Sequence, residues 1–103
     1  MPSKRELFLD RAIRIPWFRE ERMRELTVTV VGIGNIGSQL VIALCSLGIG
    51  GAYLLDKDIV EYTNLQRQIV YGKEDIGRPK ADAAADFVKK RFEDLDIDVR
   101  GIA

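Results

Sequence analysis

A β-branched run, Leu26-Thr-Val-Thr-Val-Val31, stops at a glycine, and glycine then recurs at Gly32, Gly34 and Gly37 in the spacing G-x-G-x-x-G. Few folds accept that order of residues. The run reads as a strand, and the near-continuous apolarity of its second half suits a parallel strand covered on both faces. Ile36, Leu40, Ala43, Leu44 and Leu47 follow at helical spacing, so a helix is expected over Ile36 to Leu47. Gly48-Ile-Gly-Gly51 stops it, and Ala52-Tyr-Leu-Leu55 reads as a second strand ending at Asp56. Strand, glycine turn, helix and strand in this order make a βαβ unit with a right-handed crossover.

The flanks fit around that unit. Residues 57–79 carry polar side chains and turn signals, so loop with short helical turns is expected there. Pro79 suits the first position of a helix over Ala81 to Phe92, and Ile97 to Ile102 alternates as a third strand would. Ahead of the unit, Arg and Glu mix with Leu7, Phe8, Trp17 and Phe18, and Pro16 is expected to separate two short helices. The fold class is therefore α/β, a Rossmann-like three-layer sandwich with a parallel sheet. Residues 1–25 form an N-terminal helical arm and residues 26–103 a nucleotide-binding βαβαβ part.

Composition narrows the function classes. The 103 residues make one domain. Sixteen basic and sixteen acidic side chains cancel, which gives no net field toward nucleic acid or an anionic membrane. No apolar run is long enough to span a bilayer. There is no histidine, so histidine acid–base chemistry and histidine metal ligation are excluded within these residues. The single cysteine, Cys45, allows no internal disulfide and lies mid-helix among apolar neighbours, as a core residue would. A cytoplasmic protein is expected.

In the glycine turn, Gly32 permits the tight bend, Gly34 lets a phosphate approach the backbone, and Gly37 lets helix and strand pack closely. Backbone N–H groups around Ile36 to Ser38 then face an anion. Asp56, at the end of the second strand, can accept hydrogen bonds from ribose hydroxyls. These features suit NAD, FAD and ATP alike. The loop beyond Asp56 adds Asn64, Arg67 and Lys80. Two cations suit a triphosphate, because arginine offers a rigid fork and lysine a point charge for departing pyrophosphate. The bland alternative makes Arg67 an ion-pair partner of Glu61 or Asp58, and Lys80 a solvated first turn.

Asp56-x-Asp58-x-Val60-Glu61-x-x-Asn64-Leu-Gln-Arg67-Gln68, followed by Ile76-Gly-x-Pro79-Lys80-Ala81, resembles the ATP-binding signature of the ubiquitin-activating enzymes. Prokaryotic members adenylate the sulfur-carrier proteins of molybdopterin and thiamine biosynthesis. The resemblance covers about residues 26–102. It implies ATP and magnesium as cofactors and, as partner, a small ubiquitin-fold carrier with a C-terminal Gly-Gly, whose carboxylate becomes an acyl adenylate. A homodimer is expected separately, because the open sheet edge and the aromatic arm with Trp17 and Phe18 offer surface to cover. By position, Gly32, Gly34 and Gly37 would line the phosphate turn and Asp56 would hold the ribose. Asn64, Arg67 and Lys80 would contact phosphates, with Arg67 and Lys80 as the catalytic cations and Gln68 a weaker candidate.

The chain departs from that pattern in places. The family's N-terminal Arg-Tyr-x-Arg-Gln is replaced by Asp10-Arg11-Ala-Ile-Arg14. Its downstream aspartate for magnesium, its Cys-x-x-Cys zinc site and a transfer cysteine have no counterpart, so no metal ligand is assigned. The residues are therefore expected to be the N-terminal part of a longer adenylyltransferase, binding ATP weakly and turning over poorly alone. Two alternatives are an NAD-dependent oxidoreductase domain, which leaves Arg67 and Lys80 idle, and a non-catalytic dimerisation or docking module of the same fold.

Overall fold

A computed structural model describes all residues, 1–103. The arm comes first, as α1 (Lys4–Phe8), α2 (Asp10–Ile13) and α3 (Glu20–Arg24), followed by β1 (Thr27–Val31), α4 (Asn35–Ser46) and β2 (Gly51–Leu55). The polar loop holds two 3₁₀ turns, Tyr62–Gln66 and Lys73–Asp75. α5 (Lys80–Arg91), a further 3₁₀ turn at Glu93–Leu95 and β3 (Asp98–Ile102) complete the chain. The expected elements are present with ends displaced by a residue. The arm differs more: it has three short helices where two were expected, and Pro16 lies between the second and third.

The sheet is parallel throughout, in the order β1-β2-β3. Thr27 pairs with Gly51 and Val31 with Leu55, while Gly51 pairs with Asp98 and Leu55 with Ile102. Because the strands add in one direction and right-handed crossovers are expected, both helices fall on one face of the sheet. Accordingly α4 and α5 pack against each other. Strand periodicity agrees: Val30, Ala52, Leu54 and Val99 are buried beneath the helices, while Val31, Arg100 and Ile102 on the other face are exposed. The Rossmann-like α/β fold is observed, with two of the three expected layers formed by these residues. β1 is therefore covered on one face, not on both.

Val41 and Cys45 of α4, Ala84 and Val88 of α5, and Leu54 of β2 form the centre of the core, each almost fully excluded from solvent. The alanine-rich sequence of α5 lets that helix approach the sheet closely. The arm packs at the far end from the glycine turn, where Phe8 meets Phe92 edge to face with ring centroids 5.9 Å apart. No helix is long and apolar enough to cross a membrane.

Candidate functional site

The carboxyl ends of the strands carry the glycine turn, in the position where open α/β sheets bind ligands. Gly32 has φ +90°, which a side chain would resist. Gly37 lies so close to the preceding turn that a Cβ there would overlap the Gly32 carbonyl. Those two glycines are explained by the fold itself. Gly34 is not: a Cβ there would find open space, with only Nε2 of Gln68 as near as 4.0 Å. The room beside Gly34 is thus available to a ligand.

Gly34 caps α4 without a side-chain hydrogen bond. The Ser38 amide donates back to the Gly34 carbonyl at 3.0 Å, so it does not face outward as the sequence suggested. The amides of Asn35, Ile36 and Gly37 have no protein acceptor. Three free N–H groups at the positive end of a twelve-residue helix make an anion cradle.

Asp56 is half-buried and braces this turn. One carboxylate oxygen accepts from the Ile33 amide at 2.7 Å and the other from the Asp58 amide at 2.8 Å. Each oxygen keeps a second acceptor direction for a hydroxyl. Tyr71 supplies a brace that the sequence did not reveal: its buried hydroxyl donates to the Ile33 carbonyl at 2.6 Å. Gly32, Asp56, Lys57 and Asp58 line a hollow of about 430 Å³ with Val31 and Ile102.

The loop residues separate. Asn64 is buried, and its Oδ1 accepts from the Glu61 amide at 2.7 Å, so half of its amide is committed to the 3₁₀ turn. Arg67 is exposed and makes no ion pair with Glu61 or Asp58. Its guanidinium donates to the Thr63 carbonyl at 3.3 Å, and it lines a second hollow with Tyr62, Thr63 and Lys73. That hollow shares no lining residue with the one at Gly32 and Asp56.

Lys80 is not the solvated residue of the bland alternative. Only 8% of it is exposed, and no carboxylate lies within ion-pair distance. Its amide donates to the Asp58 carbonyl at 2.9 Å, and a bridge between Ile59 and Pro79 ties the loop's two ends together. This closure places the start of α5 beside the strand ends. Pro79 sits just before α5, one place earlier than expected.

Gln68 follows Arg67 in the chain but turns inward. It is 5% exposed, its Oε1 has no hydrogen-bond partner, and its Nε2 is the side-chain atom facing Gly34. The largest hollow, about 730 Å³, lies elsewhere, between residues 69–78 and α5, and contains none of the proposed ligand residues. Its Arg78 is already paired with Asp75 at 2.9 Å and Asp86 at 2.6 Å. In the arm, Arg14 pairs with Asp10 at 2.8 Å and Arg11 is exposed. No group of three Cys, Asp or Glu side chains is placed to hold a metal ion.

Comparison with known proteins agrees with this architecture. The SAMP-activating enzyme E1 of Haloferax volcanii is 39% identical over 77 residues, which is 75% of this chain and 28% of that protein. The sulfur carrier protein adenylyltransferase of Thermus thermophilus is 38% identical over 81 residues, 79% of this chain and 28% of the relative. Among solved structures, E. coli MccB with ATP superposes with a TM-score of 0.76 at 32% identity, covering 82% of this chain and 24% of MccB. The chain thus spans about a quarter of the length of these relatives. A model of the ThiF family matches residues 9–101, nearly the whole sequence, and the chain belongs to that family.

Proposed function

We propose that this chain is the nucleotide-binding part of an adenylyltransferase that activates the C-terminal glycine carboxylate of a ubiquitin-like or sulfur-carrier protein. ATP is the nucleotide of this reading, and pyrophosphate is released as the carboxylate attacks the α-phosphate. The observation that carries it is Lys80, a largely buried lysine beside the strand ends with no carboxylate within ion-pair distance of its ammonium. Packing of its aliphatic stem limits where the ammonium can reach, and an ammonium with no carboxylate beside it is free to pair with a phosphate group. The free amides at Asn35 to Gly37 offer a second anion contact nearby. In this reading Gly34 admits the phosphates, Asp56 accepts from the ribose, Asn64 and Arg67 hold phosphate oxygens, and Arg67 and Lys80 neutralise charge on the departing group.

Magnesium enters the reading only with ATP. The carboxylates of these residues do not form a metal site, so its principal ligand would come from elsewhere in the protein. A homodimer also belongs to the reading, since Trp17 is 75% exposed and the outer edge of β1 is unpaired.

ATP–pyrophosphate exchange by the full-length protein, driven by a carrier ending in Gly-Gly, tests the proposal. Arg67→Ala and Lys80→Met are each expected to slow exchange about 10²–10³-fold, the usual effect of removing one transition-state contact. The active species should sediment as a dimer. Tighter binding of NAD than of ATP, indifferent to Arg67→Ala, would overturn the assignment.

A further inference from the structure

The peptide that joins Ile33 to Gly34 is held from behind by a tyrosine of the polar loop. We propose that Tyr71 is a positioning residue of the nucleotide site, its hydroxyl fixing that peptide so that the Gly34 N–H faces the bound phosphates. The inference rests on the ATP reading above and deepens it, by assigning a residue that acts on the ligand through the backbone alone.

Glycine at position 34 leaves the orientation of this peptide to be set by its surroundings. Turning a peptide over changes ψ of the residue before it and φ of the residue after it, and glycine accepts either sign of φ. Gly34 has φ −92°, with no atom nearer than 4.0 Å to where a Cβ would lie, so its own sterics do not oppose the turn. The preceding peptide is secured separately, by the Ile33 amide donating to Asp56 at 2.7 Å. What holds the Ile33 carbonyl is the Tyr71 hydroxyl, which donates to it at 2.6 Å, with Ser38 Oγ a longer donor at 3.5 Å. Burial, aided by the charges of Asp56 and Asp75, keeps the phenol protonated and therefore a donor.

A trans peptide carries its C=O and N–H on opposite sides. With the Ile33 carbonyl drawn toward the buried Tyr71, the Gly34 N–H is turned to the other side, where it donates to no backbone carbonyl. It thereby joins the free amides of Asn35, Ile36 and Gly37 as a fourth donor to an anion. The same contact ties cradle to loop, since Tyr71 comes four residues after Arg67 and reaches back 38 positions to Ile33. A phosphate seated on the amides and a loop fastened to the turn therefore favour one another.

Titration calorimetry on the full-length protein, with magnesium ATP, inorganic tripolyphosphate and adenosine, distinguishes this role from a structural one. Tyr71→Phe removes the hydroxyl and keeps the ring. Its affinity for ATP and for tripolyphosphate should fall about tenfold, as for one lost hydrogen bond to a charged group, while adenosine binds as it does to the parent. Unaltered tripolyphosphate affinity in the folded variant, or an equal loss for all three probes, overturns the inference. A second measurement needs no variant: in amide NMR spectra of the parent, tripolyphosphate should shift the Gly34 resonance together with those of Asn35 to Gly37. A Gly34 resonance that stays in place while the others move also overturns the inference. Binding of tripolyphosphate without ATP would overturn the ATP reading alone, and binding of neither overturns both.

Discussion

Tyr71 and Cys45 are single residues whose burial gives the protein a readable chemical signature. Burial pushes the Cys45 thiol from its ordinary 9.0 up to about 11. Burial also raises the Tyr71 phenol, and the negative charges of Asp56 and Asp75 add to that effect. Both groups are neutral when protonated. Below about pH 8 folded and unfolded chains alike keep nearly all of these protons, and neither group makes stability depend on pH. Above it the unfolded chain releases them first, the folded chain holds more protons, and stability falls. Urea midpoints are expected to decline between about pH 8 and about pH 10.5, less steeply in Tyr71→Phe above about pH 10. A flat profile would contradict the burial of both side chains. The sequence made the backbone turn legible, because Gly32 and Gly37 have steric reasons visible in their spacing. It also made Cys45 legible as core. Gln68 and Tyr71 were not legible in the same way: polar side chains are ordinarily exposed, and their burial follows from a loop closure that no local pattern encodes.

At the scale of elements, the arm is held by one side chain more than by its helices, which are too short to persist alone. Arg5 of α1 is 8% exposed; it donates to Glu20 of α3 at 2.6 Å, to the Leu95 carbonyl at 2.8 Å and to the Gly48 carbonyl at 2.7 Å. Glu20 is shared with Arg24, and those two arginines, Arg24 foremost, hold its carboxyl below the usual range against the opposing effect of burial. Arg5→Lys keeps the charge but replaces a planar fork by a point donor. It is expected to cost about 2 kcal/mol in urea denaturation, with protease cleavage within residues 1–25 appearing first. Loss of less than about 0.5 kcal/mol would mean that the fork does not anchor the arm. The regular elements were readable because strand and helix periods are local. The third arm helix was not, since runs of four or five residues carry too few repeats to establish a period. The Ile59–Pro79 bridge, which brings Lys80 to the strand ends, joins residues twenty positions apart and left no trace in composition.

Across the whole molecule, the sheet is covered on one face, and the arm lengthens it to 42 × 21 × 19 Å. Its radius of gyration, 14.2 Å, exceeds the value of about 13 Å for a compact domain of this size. The parallel register has a further consequence. β1 and β2 are joined through one helix and two short turns, whereas β2 and β3 enclose the polar loop as well as α5. The second closure spans roughly twice as much chain and costs about 0.6 kcal/mol more in loop entropy. Pulse-labelled hydrogen exchange during refolding should therefore protect amides of β1, α4 and β2 before those of α5 and β3. The reverse order would show that the second crossover nucleates folding. On a ribosome, the segment ending at Leu55 would then carry the free amides of Asn35 to Gly37 while Lys80 was still being made, so an anion meeting the nascent chain would find backbone before side chains.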